Sequence, residues 1–99
     1  MTDEFKNIFE LAEQLSNLQK QAAIQTLAVY GPEVEEILGL NIKDKQRIEN
    51  TLDQLLEVAF DNSVLELYKK LCRHYYDINE NAAVFYVQSY REMWDELNE

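Results

Sequence analysis

The chain has 99 residues, of which 46% are hydrophobic and 28% charged, and its 19 acidic and nine basic residues give a net charge of −10. This length fits one domain, so we expect residues 1–99 to form a single α-helical unit. The composition is globular rather than disordered, and the charge argues against direct binding to nucleic acid or to anionic membranes. With only two glycines and one proline, the chain favours long helices over turn-rich β structure.

The first predicted helix begins near Thr2 or Asp3, either of which can cap it. Five apolar residues then recur at steps of three and four and form one helical stripe: Ile8, Leu11, Leu15, Leu18 and Ala22. Apolar residues surround more of the helix between positions 22 and 30, so we expect that half to be the more deeply buried. Gly31-Pro32 is typical of a helix end and predicts a break.

Beyond this break the sequence predicts a short helix from Pro32 to about Leu38, with Gly39 as its C-cap. A longer helix opens between Asn41 and Asp44, continues to about Phe60 and carries an apolar stripe.

Two further helices complete the predicted chain. Ser63 and Glu66 have the spacing of a capping box at the start of one, after the break at residues 61–63. Asp77 and Glu80 have the same spacing and open the last helix, which extends to about Leu97. The sequence therefore predicts an all-α fold, a compact bundle of four main helices plus one short helix, with short connections and mostly antiparallel neighbours.

Patterns that indicate catalysis are absent from the sequence. His74 is the only histidine and Cys72 the only cysteine, which rules out sites built on two histidines and any intrachain disulfide. Cys72 falls in an apolar run and is expected to be buried as a small hydrophobic residue. No glycine-rich phosphate loop or nucleophile elbow occurs. We therefore expect no enzymatic activity, no catalytic residue, no cofactor and no bound metal.

The acidic residues form two groups. Four carboxylates recur at steps of four and line one ridge of a predicted helix: Glu49, Asp53, Glu57 and Asp61. Like charges at this spacing destabilise a helix. A second group, with Glu92 and Glu96, lies on the final turns, where the helix dipole disfavours anions. Both groups have two interpretations: a solvated face that keeps the protein soluble, or an anionic surface for a basic partner.

The last predicted helix contains six consecutive apolar residues, 82–87, although one face of a bundle needs only a stripe. Val84 and Phe85 fall on its polar side. Either the short helix Pro32–Leu38 covers them, or they form with Tyr76 a patch for self-association or for a partner.

These features predict a non-enzymatic protein-interaction module, such as a small adaptor, inhibitor or immunity-type protein, that uses the acidic surface and the apolar patch. Its partner is then another protein, a basic groove on that protein being one candidate, or a second copy in a homo-oligomer. The alternatives are an acidic nucleic-acid mimic that blocks a basic groove and, less favoured, a helix-turn-helix regulator that uses Lys69, Lys70 and Arg73. The acidic start and the lack of a long apolar run predict a cytoplasmic location, with no membrane contact.

Overall fold

The structure is a computed structural model that describes the backbone of residues 2–95 and the side chains of residues 6–95. The predicted all-α bundle is confirmed, and in this part of the chain it consists of four α-helices and one π-helical turn: α1 (Thr2–Gly39), α2 (Lys45–Leu56), α3 (Asn62–Tyr76), α4 (Glu80–Tyr90) and the turn Arg91–Asp95. Short connections join consecutive helices, which pack as antiparallel neighbours, and α1 also packs against α3. The predicted end near Leu97 lies outside the described residues.

Helix α1 continues through the position at which the sequence predicts a break. Pro32 lies inside this helix of 38 residues, and the predicted short helix Pro32–Leu38 is therefore the last part of α1. A proline in a helix interior removes one backbone hydrogen bond and strains the preceding turn. Val34 and Ile37, just after it, are fully buried in the core. Their burial offsets the local preference for a break.

Asn41, and not Gly39, closes α1. The φ angle of Asn41 is 52°, which places this residue in the left-handed region. The amide of Ile42 donates to the carbonyl of Ile37 at 2.9 Å, and the amide of Asn41 donates to the carbonyl of Leu38 at 3.3 Å. These two bonds define a Schellman motif, so the predicted C-cap at Gly39 is wrong by two residues.

Side chains cap the three following helices. Asp44 accepts from the amide of Arg47 at the start of α2, as its predicted opening allows. At α3 the N-cap is Asp61, which accepts from the amides of residues 63 and 64, so the predicted capping box of Ser63 and Glu66 is wrong. At α4 the N-cap is Asn79 instead of Asp77. In both corrections the N-cap is the residue whose side-chain oxygen accepts from the amides of the first turn.

The core lies between the second half of α1 and the other three helices. Its fully buried large side chains come from all of the first three helices: Val34, Ile37, Ile48, Leu52, Leu55, Val64, Leu71 and Tyr75. Helix α4 adds Ala83 and Tyr86 to this cluster. The second half of α1 is thus the buried half, as the sequence predicts. Within the described residues, no helix combines the length and apolar character needed to cross a bilayer.

Two polar contacts hold the connections in place. Arg47 of α2 pairs with Glu33 and Glu36, which lie one turn apart on α1. The Nε2–H of His74 donates to the carbonyl oxygen of Ile42 at 2.7 Å and joins α3 to the α1–α2 connection. The ends of α1, α2 and α3 are therefore fixed relative to one another.

Candidate protein-interaction surfaces

An apolar groove runs between α3 and α4. Its lining combines apolar and aromatic side chains of both helices: Leu65, Tyr68, Cys72, Tyr76, Ala83, Val84, Val87 and Tyr90. The antiparallel packing of the two helices brings their outer rows together, while Tyr68 and Ala83 are buried at the floor. Val84 and Val87 keep 41% and 46% of their surface exposed. The groove is therefore open to solvent along its α4 side.

The groove unites two of the residues that the sequence analysis assigns to one apolar patch. Tyr76 at the end of α3 and Val84 on α4 both line it. Phe85 is 63% exposed, but it lies outside the groove, and its ring packs edge to face against the adjacent Tyr86. Both Val84 and Phe85 are exposed, so residues 32–38 do not cover them. The role of this patch in binding stays a prediction.

Charged side chains border the groove at one edge. Lys69 and Arg73 lie one turn apart on α3, and Asp77 follows at its C-terminal end. Lys69 pairs only loosely with Glu66, at 3.8 Å between exposed groups, and such a surface pair contributes little. This edge of the groove therefore carries two cationic side chains, Lys69 and Arg73, beside the carboxylates of Glu66 and Asp77.

Cys72 lines the floor of the groove as a buried thiol, which confirms its predicted burial. Burial raises the pKa of the Cys72 thiol to about 12, and the nearby Tyr68 hydroxyl lowers it only in part. The thiol is therefore protonated at neutral pH and contributes apolar surface to the groove.

The predicted acidic ridge is not one continuous helical row. Helix α2 ends at Leu56 instead of Phe60, so Glu57 is its C-cap and Asp61 is the N-cap of α3. Only Glu49 and Asp53 lie on α2 itself. The turn between the helices interrupts the periodicity that the spacing of four implies.

Three of these four carboxylates accept hydrogen bonds within the fold. Glu49 accepts from the hydroxyl of Tyr75, and Asp53 accepts from the hydroxyl of Tyr86 at 2.8 Å. Asp61 accepts from the two amides at the start of α3. The sequence analysis missed these contacts because the tyrosine donors are 26 and 33 residues away. These three carboxylates therefore stabilise the fold. Partner binding through the acidic surface stays a prediction.

Only part of the second acidic group lies within the described residues. Glu92 is exposed on the π-helical turn, and Glu96 lies outside the described residues. Trp94 anchors this turn, since its indole N–H donates to the carbonyl of Leu56 at 2.8 Å and its ring meets Phe60 edge to face.

The sequence analysis also missed an exposed surface on α1. Every residue from 6 to 21 is exposed, and the first buried residue among the described side chains of the helix is Ala23. The predicted stripe therefore does not face the core: Ile8, Leu11, Leu15 and Leu18 retain about 60% of their surface. The first half of α1 extends beyond the bundle, and the molecule measures 57 Å along its longest axis against 30 and 17 Å along the others. The three–four spacing identifies the stripe in the sequence, but only the packing of the bundle shows that it is exposed.

These features define a helical bundle with an open apolar groove and a projecting amphipathic helix. No protein-family model, no curated protein and no solved structure matches the chain. The groove between α3 and α4 and the exposed stripe of α1 are therefore the features that bear on its function.

Proposed function

We propose that this protein is a non-enzymatic protein-interaction module that receives an apolar segment of another protein in the groove between α3 and α4. The observation that carries the proposal is the continuous apolar lining of this groove, from Leu65 and Tyr76 on α3 to Val84 and Val87 on α4. Open clefts that are lined mainly by apolar and aromatic side chains are a common form of binding site.

The shape of the groove can accommodate a helical or extended segment of a partner. Two antiparallel helices form its walls, and apolar residues recur along α4 at positions 83, 84, 87 and 90. A segment laid along these walls can place successive apolar side chains between the two rows, as an amphipathic helix does in a hydrophobic groove.

The charges at the edge indicate the chemistry of the partner segment. Lys69 and Arg73 are exposed and one turn apart, so acidic residues on the polar side of a bound segment can pair with them. The proposed partner segment therefore has apolar anchor residues and neighbouring acidic residues. Such a segment differs from the predicted basic groove on the partner, which relies on the acidic surface of this chain.

The experiment compares binding partners captured by the unaltered protein and by three variants. Val84→Glu and Val87→Glu place a charge in the groove, and we expect each to lose the partner because a carboxylate would be desolvated against apolar walls. Phe85→Glu is the matched control: it adds the same charge to the same helix, at a residue that is more exposed and outside the groove.

A partner retained by Phe85→Glu and lost by both groove variants supports the proposal. Equal capture by all four proteins would contradict it, as would loss with Phe85→Glu alone. Circular dichroism and thermal unfolding of each variant establish that the fold is retained, which is expected because all three side chains are exposed. If a partner is found, Lys69→Glu and Arg73→Glu should weaken its binding most at low salt.

A further inference from the structure

The exposed stripe on the first half of α1 has the spacing of a coiled-coil seam. Its apolar residues occupy alternating a and d positions over two heptads: Ile8, Leu11, Leu15, Leu18 and Ala22. Val29, one further heptad from Ala22, is 62% exposed and continues the same line. The seam therefore extends from the projecting part of α1 to the part that packs on the bundle, with one polar position, since the d residue between Ala22 and Val29 is Gln25.

The seam and the core-packing face lie on different sides of α1. The residues that pack on the bundle, among them Ala23, Val34 and Ile37, are centred roughly 110° around the helix from the seam, at 3.6 residues per turn. The bundle therefore leaves most of the seam free, from Ile8 to Leu18 and again at Val29, while Ala22 is half-buried. A second helix can approach the exposed positions without displacing α2, α3 or α4.

The positions that flank the seam carry no charge. The e and g positions from 7 to 28 are all neutral: Asn7, Ala12, Gln14, Gln19, Gln21, Thr26 and Ala28. Residues 8–29 contain only Glu10, Glu13 and Lys20 as charged residues, so this segment has a net charge of −1 in a chain of net charge −10. In coiled coils, charges at the e and g positions determine which helices pair. None of these positions is charged here, so no charge at them opposes the pairing of two copies.

We propose that two copies of this chain pair through this seam, as a two-stranded coiled coil over residues 8–29. Electrostatics favour this face for self-association, because a second copy would be repelled at the acidic surfaces of the bundle but not at the neutral seam. The pairing goes beyond the proposed groove function, and neither depends on the other.

The length of the seam sets the strength of the pairing. Twenty-two residues span about 32 Å, and covering half the circumference of a helix about 10 Å wide buries roughly 500 Å² on each copy. The total of roughly 1,000 Å² lies at the lower limit for a specific interface. We therefore expect a dimer that dissociates on dilution instead of an obligate one.

The experiment measures molar mass against protein concentration for the full chain, by sedimentation equilibrium. The unaltered protein should shift from monomer towards dimer as its concentration rises. Leu15→Glu, at the centre of the seam, should remain monomeric because each dimer would bury two facing carboxylates. Since Leu15 is already exposed in the single chain, the bundle should remain folded.

Phe9→Glu is the matched control, and Ile24→Glu is a second. Both replace an apolar residue that is at least as exposed as Leu15 with the same charge on the same helix, but off the seam. Retained dimerisation in both controls and its loss in Leu15→Glu support the proposal. Because an isolated helical segment gains order on pairing, the helical circular dichroism of the unaltered protein should rise with concentration.

Two results would overturn the proposal. One is a monomer at all concentrations, including the case in which α1 binds anionic lipid vesicles instead of a second copy. The other is a dimer that Leu15→Glu leaves intact. Neither result bears on the groove, since the groove variants Val84→Glu and Val87→Glu lie on α4.

Discussion

The hydroxyl of Tyr86, on α4, donates to Oδ1 of Asp53, on α2, across a distance of 2.8 Å. One turn earlier on α2, Glu49 accepts from the hydroxyl of Tyr75, which belongs to α3. Both tyrosine side chains are buried along most of their length and end at carboxylates on the surface of α2. The two carboxylates thus cap the polar ends of core residues. This relationship gives a physical reason for like charges to stand four residues apart on α2.

Removing one partner of the Tyr86–Asp53 bond should destabilise the fold. We expect Tyr86→Phe to lower the free energy of unfolding by about 1–3 kcal/mol, because a hydrogen bond to a charged acceptor is lost. Asp53→Asn should cost less, since the amide oxygen still accepts. Urea unfolding of Tyr86→Phe, Asp53→Ala and the double variant measures the coupling between the residues, because each of these changes removes one partner of the bond.

Glu57→Gln is the control for this prediction. Glu57 is the exposed C-cap of α2, where a negative charge opposes the helix dipole. Its replacement should leave stability unchanged or raise it slightly. Additive effects of Tyr86→Phe and Asp53→Ala, with no coupling between them, would contradict the assigned hydrogen bond.

The same tyrosines predict a loss of stability at alkaline pH. Burial, followed by the hydrogen bonds to Glu49 and Asp53, raises the pKa of Tyr75 and of Tyr86 above the ordinary value of 10.0. A raised pKa in the folded state means that the folded protein holds these protons more tightly than the unfolded chain. Their contribution is therefore complete below pH 10 and is lost as the pH rises above that value.

Urea unfolding at a series of pH values, together with tyrosinate absorbance, measures this effect. Tyr86→Phe should make the alkaline decline less steep because one of the shifted groups is gone. Simultaneous ionisation of all six tyrosines near their ordinary pKa, with the fold intact, would show that the buried hydroxyls are not protected.

Asn41 offers a test of the helix end that the structure assigns. Its left-handed φ of 52° costs a residue with a Cβ atom roughly 1 kcal/mol, although asparagine tolerates it better than most residues. Asn41→Gly should therefore raise the free energy of unfolding by up to about 1 kcal/mol, and Asn41→Ala should lower it by a similar amount. Denaturant unfolding gives both values.

Gly39→Ala is the matched control for this helix end. Gly39 has an ordinary φ, and a Cβ atom at this position would meet nothing within 4 Å. If Gly39 were the left-handed cap, Gly39→Ala would destabilise the protein. We expect it instead to be neutral or slightly stabilising, because alanine favours the helix more than glycine does.

The sequence predicts the parts of this fold that depend on periodicity. The buried positions of α2, Ile48, Leu52 and Leu55, follow directly from their spacing. Helix ends are predicted less well, because Gly39 and Asn41 are both acceptable closing residues, and only the backbone hydrogen bonds of the folded chain identify Asn41 as the one that closes α1. For the surfaces, the spacing places Tyr76 and Val84 on their helices, but only the packing of α3 on α4 brings them to one groove.

The continuity of α1 through Pro32 leads to the last prediction. Proline at this position cannot donate to the carbonyl of Ala28, four residues earlier, and its ring crowds that turn. Its side chain is exposed, so replacing it removes little from the core. We expect Pro32→Ala to raise the free energy of unfolding by about 1–3 kcal/mol, because the missing helical hydrogen bond is restored.

Glu35→Ala, at an exposed position in the interior of the same helix, is the control and should change stability by a few tenths of a kcal/mol. Urea unfolding of both variants separates the effect of the proline from that of alanine itself. A loss of stability in Pro32→Ala would mean that the local distortion at the proline is needed to seat Val34 and Ile37 in the core. In that case core packing would determine the path of the helix, and the distortion at Pro32 would be required for the geometry of α1.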